Sequence, residues 1–364
     1  MSSNIVLHVL ATVSLLSVSA GMLSVSPAQA GKSYNYHLIN KLAVGGDGGW
    51  DYIYLDSDGR RLYITRGTHV MVIDDNAKII GDIPDTAGVH GIALAPEFNR
   101  GFITDGQANQ FTIFDLATFK TIGTAATDRG PDGIVYDPAS KRVFSMNGAG
   151  NSATAVDAAT GNVVGTVQLG GRPEFPAADG KGHVFANLED KSELVELDSK
   201  TLTILNTWPL APCESPSGLA IDAEHERLVV GCHNNMMAFV DGTNGKVVAT
   251  VPIPSGVDAN RFDPITGFAF ASTGSGDGAI TIAHEDSPDK FTLVDTVPTM
   301  SGARTMAIDY SDHTIYTVSA QMQPAPAPSA DATQVAPTTG AAGGGRPGRR
   351  PMVPGTFTVL IFKQ

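Results

Sequence analysis

LDSDGRRLYI, beginning at Leu55, reads as a short apolar strand closed by Asp56, a polar turn and a second strand. The pattern returns as LAPEFNRGFI from Leu94, YDPASKRVFS from Tyr136, ADGKGHVFA from Ala178, IDAEHERLVV from Ile221, FDPITGFAFA from Phe262 and IDYSDHTIYT from Ile308. The residues closing the first strand fall at 56, 95, 137, 179, 222, 263 and 309. A repeat of roughly 40–45 residues with four strands per unit indicates a propeller. The remaining strands recur as well. A third one usually ends in Asp, as in HVMVID (69–74), NQFTIFD (109–115), NSATAVD (151–157), SELVELD (192–198) and NMMAFVD (235–241). A fourth follows a tight turn, as in AKIIGDI (77–83), GNVVGTV (161–167) and FTLVDTV (291–297). Their alternation and β-branched content are those of strands. The Asp that closes the third strand reads as a turn former, because its carboxylate can accept nearby backbone N–H groups.

The expected fold is therefore all-β: a seven-bladed β-propeller with four-stranded blades. The seventh unit ends with TFTVLIFK (356–363) and has no fourth strand of its own, whereas YHLINKLAV (36–44) has fourth-strand character and no unit. Ring closure by the N-terminal strand completes the last blade and hides two edges. Residues 321–355 interrupt that blade with a Pro-, Ala-, Gly- and Thr-rich stretch carrying Arg346, Arg349 and Arg350. It reads as a disordered low-complexity insertion, either a solvated linker or a small basic tether.

Composition narrows the partners. The chain has 364 residues, 42% hydrophobic, which is enough apolar surface to exclude disorder along its whole length. The net charge of −13 makes nucleic acid a poor partner. Residues 5–23 are apolar or small, and SPAQA (26–30) supplies an Ala-x-Ala cleavage site. Residues 1–30 thus read as a signal peptide, although they hold no Lys or Arg. A periplasmic or secreted location follows, with one propeller over 31–364, no membrane span after cleavage and a monomeric state. The alternative is an uncleaved anchor.

LYIT (62–65) and RVFSMNG (142–148), each leading to a Val-x-Asp strand, resemble the YVTN-repeat, YncE-like family of exported seven-bladed propellers. GPDG (130–133) and SPSG (215–218) match the family's entry to the innermost strand. The resemblance covers the mature chain outside 321–355 and implies a binding role more than a chemistry. The family's Asn is kept at Asn147; the matching positions elsewhere hold Arg66, Asp105, Leu188, Cys232, Thr273 and Ser319.

No catalytic motif stands out. Cys-x-x-Cys-His, His-Glu-x-x-His and Gly-x-Ser-x-Gly are all missing. GAGNSA (148–153) imitates a dinucleotide fingerprint but lies between two strands with no helix after it. The informative positions lie five residues before each anchor, where the innermost strand opens at the channel mouth: Asp51, His90, Asp132, Glu174, Ser217, Asp258 and Arg304. Four carboxylates against one guanidinium leave three net negative charges with His90 neutral. Like charges so placed take up protons or cations. His90, Asp132 and Glu174 form the expected arc for one ion, Ca²⁺ or Mg²⁺ by oxygen content, with Zn²⁺ or Mn²⁺ admitted by the imidazole. The alternatives are strand capping and direct capture of a cationic or polyhydroxyl ligand. Trp50 and Phe175 flank the ring as stacking or packing residues, and His233 is a weaker candidate at the same rim. The other histidines, His225 among them, show no metal-ligand spacing. Cys213 and Cys232, the only two cysteines, are expected to form a disulfide in an oxidising compartment.

The function this supports is an exported binding or scaffolding propeller that captures a small-molecule or protein ligand at its acidic mouth. The rivals are a metal-dependent propeller hydrolase such as a lactonase, and a protein-interaction platform without a small ligand.

Overall fold

In the computed structural model, each segment quoted above forms the first hairpin of a four-stranded antiparallel sheet, and there are seven such sheets. The structure describes residues 1, 35–46, 48–323 and 352–364. The expected signal peptide and most of the expected 321–355 insertion lie outside these residues. Blades I to VI run in chain order: 53–83, 89–126, 131–168, 173–209, 216–252 and 257–298. Blade VII combines Met306–Asp309, Thr314–Ser319, Thr358–Lys363 and the N-terminal strand His37–Ala43. That strand pairs antiparallel with Thr358–Lys363, His37 facing Lys363 and Ala43 facing Thr358. The first strand of each blade packs against the first strand of the next, and that of blade VII against that of blade I. The ring is closed as expected. Among the described residues the one helical element is the 3₁₀ turn Pro96–Phe98, and no helix is long and apolar enough to cross a membrane.

Burial explains the sequence pattern blade by blade. In blade III the second strand Arg142–Asn147 is buried on both faces. Its Phe144 and Met146 pack with Val184, Ala186 and Leu188 of blade IV, while Val143 packs with Phe102 and Phe111 of blade II. The core is thus a series of layers between blades, which is why middle strands read as unbroken apolar runs. The outer strand Val163–Gln168 is mostly exposed. Between it and the third strand, Asp157 Oδ1 accepts the Thr160 N–H at 2.8 Å. Asp74, Asp115, Asp198 and Asp241 accept backbone N–H groups in the corresponding turns. This is the turn-forming role that their spacing implied.

Two features tie the fold together across long stretches of chain. Arg66 is fully buried, donates to the Gly48 carbonyl at 3.1 Å and stacks its guanidinium 3.8 Å over Phe357. It thereby links blade I to both chain segments that close blade VII. Cys213 and Cys232 are joined in a disulfide with Cα atoms 5.4 Å apart. Closing a loop of this size is worth about 3 kcal/mol in the chain-entropy model. Replacing both cysteines by serine is expected to lower the unfolding free energy by about that amount. Thiol titration of unreduced, denatured protein checks the bond directly: two reactive thiols would contradict it.

At the base of the insertion, Val353 N–H donates to the Gln321 carbonyl at 2.7 Å and Met322 pairs with Met352. Both methionines pack beside the cluster that contains Trp50 and Phe357.

Candidate functional site

The ring residues are aimed by backbone irregularities. In blades II to VI the pairing of the first two strands shifts register between Val89/Ile92, Pro131/Ile134, Pro173/Pro176, Pro216/Leu219 and Val257/Ala259. His90, Asp132, Glu174, Ser217 and Asp258 sit inside these shifts. A bulge there re-aims a side chain at a strand end. Glycine lets adjacent strands close in behind them. A Cβ on Gly133 would meet the Glu174 carbonyl oxygen at 2.3 Å, so no larger residue fits between Asp132 and the next blade.

Five of the seven residues join in one network of hydrogen bonds and ion pairs. Arg304 bridges two carboxylates, Nη2 to Asp51 Oδ1 at 2.6 Å and Nη1 to Asp258; Nη2 also donates to the Trp50 carbonyl at 3.0 Å. His90 Nδ1 donates to Asp51 Oδ2 at 2.6 Å and lies 3.5 Å from Asp132 Oδ1. Asp132 is otherwise open: its carboxylate, 23% exposed, accepts no hydrogen bond among the described residues. Ser217 departs from the expected mouth position. It is fully buried, with its carbonyl held by Asn187 Nδ2 at 2.9 Å. Trp50 and Phe175 are also packed away, Trp50 against Phe357 at 5.5 Å and Phe175 against Tyr52 at 5.0 Å.

The electrostatics follow from burial and neighbours. Burial works against the charge on Asp51, but Arg304 and the His90 hydrogen bond outweigh it and hold the carboxyl well below its usual range. Burial also works against a charged His90, yet Asp132 and Asp51 outweigh it and raise the imidazole to about 9. Asp132 is pushed up by burial, with His90 opposing and Asp51 and Asp258 adding to the rise. Burial pushes Glu174 up to about 8, with Asp132 and Glu189 adding their repulsion. These neighbours favour the protonated form of His90 at neutral pH, whereas the count from sequence took it as neutral. The close counterion contacts of the ring lie on the Asp51–Asp258 side, and Asp132 has only the longer contact with His90.

This makes a pH prediction with a definite sign. Glu174 and His90 both bind protons more tightly in the folded state than at their ordinary values of 4.5 and 6.5. Their contribution is complete below those values and is lost as pH rises through the folded ones. The melting temperature is expected to fall between about pH 4.5 and about pH 9, and Glu174→Gln should flatten the part of that fall below about pH 8. A fall equally steep in the variant would contradict the assignment.

Ligand atoms of Asp51, His90 and Asp132 lie within 4.8 Å of one another. The expected ion arc of His90, Asp132 and Glu174 is therefore displaced by one blade, because His90 turns its Nδ1 toward Asp51. Glu174 turns the other way: Arg172 Nη2 lies 3.5 Å from Glu174 Oε2, and Arg172 Nη1 is 3.0 Å from Glu189 Oε2. His233 Nε2 lies 3.7 Å from Glu189 Oε1, which places this weaker candidate at the far end of the same chain of charges. Arg172 and Glu189 lie off the repeat position, so the sequence did not single them out. A second cluster, Asp222, His225 and Glu285, was also missed. Its one local trace is Asp-x-x-His at 222–225.

Solved structures resemble this chain in fold. A chain of hydrazine synthase from Kuenenia stuttgartiensis superposes with a TM-score of 0.65 at 14% identity, covering 74% of this chain and 92% of that one. The structure of U3-55K gives 0.69 at 10% identity, covering 89% and 98%. The RRP9 WD40 repeats give 0.72 at 9% identity, covering 91% and 98%. No family model and no curated protein matches the sequence. At these identities the likeness concerns the fold: this chain is a seven-bladed β-propeller, built on the same plan as proteins that share almost none of its residues.

Proposed function

We propose that the chain is an exported propeller of the YVTN-repeat, YncE-like kind that binds a small ligand bearing an ammonium group at its channel mouth. The observation that carries this reading is the Asp132 carboxylate. It reaches the mouth, accepts no hydrogen bond among the described residues, and is followed in the ring by a carboxyl that holds its proton up to about 8. An acceptor in that position calls for a donor, and an ammonium supplies three N–H groups together with the charge. Arg304 pairs closely with Asp51 and Asp258, whereas the contacts of Asp132 with His90 and of Glu174 with Arg172, which also serves Glu189, are longer at 3.5 Å, so their arc is where an added cation gains most. Anionic ligands meet repulsion there.

A second reading has one observation in its favour. The 4.8 Å grouping of Asp51, His90 and Asp132 could hold a divalent ion, as a hydrolase of the lactonase kind requires. It demands that His90 release the proton shared toward Asp51. A melting-curve panel separates the two, because a ligand of the folded state raises its stability by mass action. Glucosamine, ethanolamine and 1,4-diaminobutane are expected to raise the melting temperature, whereas glucose and glycerol leave it unchanged. A shift with Ca²⁺, Mg²⁺, Mn²⁺ or Zn²⁺ that is absent from the amines would favour the metal reading. A shift with none of them would leave the mouth without a small ligand.

A further inference from the structure

The opposite end of blade V's innermost strand, Pro216–Asp222, holds a second group of donors. Asp222 closes the strand, His225 follows in the turn, and Glu285 comes from blade VI. Glu285 reaches this position because the third strand of blade VI, Ala279–Ser287, has nine residues, against six in the third strands of blades II to V. His225 Nδ1 lies 2.6 Å from Asp222 Oδ2 and 3.1 Å from Glu285 Oε1. Both carboxylates are buried, with side chains 3% and 4% exposed, while the imidazole faces out at 45%. The group borders a cavity of about 350 Å³ also lined by Glu224, Phe262 and Pro288.

Glu285 Oε1 is the telling atom. It is buried and accepts no hydrogen bond, because the single hydrogen that Nδ1 can carry is directed at Asp222. Buried acceptors rarely go without a donor. Arg227, the fixed cation on the same turn, is engaged elsewhere, with Asp289 at 2.8 Å, Asp241 at 3.3 Å and the Pro288 carbonyl. Asp179–His183 and Asp263–His313 repeat the Asp–His pair at 2.7 Å, but among the described residues neither gains a third ligand.

We infer that Asp222, His225 and Glu285 form a divalent-cation site on the face opposite the channel mouth, taking an ion of the Zn²⁺ or Mn²⁺ class. Two carboxylate oxygens and one imidazole nitrogen suit that class better than Ca²⁺ or Mg²⁺, which prefer oxygen alone. The cavity leaves room for water to complete the coordination shell. The ion would pin the long hairpin of blade VI to the turn of blade V.

The test is dialysis of the full chain against ZnCl₂, MnCl₂ or CaCl₂, followed by elemental analysis and calorimetric titration. Parent protein is expected to retain one equivalent of Zn²⁺ or Mn²⁺. His225→Ala and Glu285→Gln should weaken that binding at least about tenfold, while His183→Ala, which removes an imidazole from an Asp–His pair without a third ligand among the described residues, should leave it unchanged. Melting curves in chelator establish that each variant is folded; Glu285→Gln, nearly isosteric, decides if His225→Ala is not. The inference is overturned if Zn²⁺ and Mn²⁺ are not retained, if Ca²⁺ alone is retained, or if uptake is lost only in Asp132→Asn at the mouth.

Discussion

Deletion of residues 35–44 is expected to make the propeller associate with other chains. It strips the outer strand from blade VII and exposes the backbone edge of Thr358–Lys363, a ready template for another chain. The deleted strand itself is mostly exposed, so its ladder hydrogen bonds matter more than its side chains. Tyr36 is the exception. It is 3% exposed, meets Phe270 edge-to-face at 5.6 Å, and donates its hydroxyl to the His313 carbonyl at 3.2 Å. Removing a buried aromatic of this size costs about 3–5 kcal/mol. Tyr36→Ala should therefore lower the melting temperature substantially while the protein stays monomeric. The deletion should do both, lowering stability and producing larger species in size-exclusion chromatography. A deleted protein that remains monomeric with an unchanged melting curve would contradict ring closure.

The double change Asp132→Asn and Glu174→Gln is expected to stabilise the ligand-free protein and to abolish amine binding. The folded state holds Glu174 against its ordinary ionisation, and Asp132 is raised in the same direction. At neutral pH, folding must either keep a proton on Glu174 or bury adjacent charges. Neutral amides remove that penalty, on the order of 2 kcal/mol for groups so coupled. The gain should grow as pH rises from about 4.5 to about 8, across which the parent loses the contribution of its Glu174 proton, and level off above that. The same variant loses the acceptor that an ammonium needs, so the amine-dependent melting shift should vanish. Strong destabilisation of the variant would instead make both carboxylates strand caps.

The propeller was legible in the sequence because its units repeat the same physical task. Each needs a hairpin, closed by Asp in all but the second unit, two middle strands buried on both faces, and an outer strand that tolerates solvent. The missing fourth strand of the last unit and the surplus strand at 36–44 pointed to each other for the same reason. The mouth was legible only as a list of positions. Register shifts decide which way those side chains turn, and no residue type announces them. Ser217 shares the repeat position of Asp132 yet is buried. His90 is raised because Asp132 and Asp51, from the blades on either side, face it, Asp51 at 2.6 Å. The Asp222–His225–Glu285 group depends on a hairpin three residues longer than those in the earlier blades, an extension that alters the period too little to be noticed.

Carboxyl carbon NMR titration tests the mouth most directly. Glu174 is identified as the resonance lost in Glu174→Gln. The account predicts that this carboxyl titrates near 8 in the ligand-free protein and moves toward the ordinary glutamate range when ethanolamine is added. A Glu174 carboxyl titrating between about 4 and 5, unmoved by the amine, would contradict the claim that burial and neighbouring carboxylates hold this group up and that the arc takes up a further cation from solution.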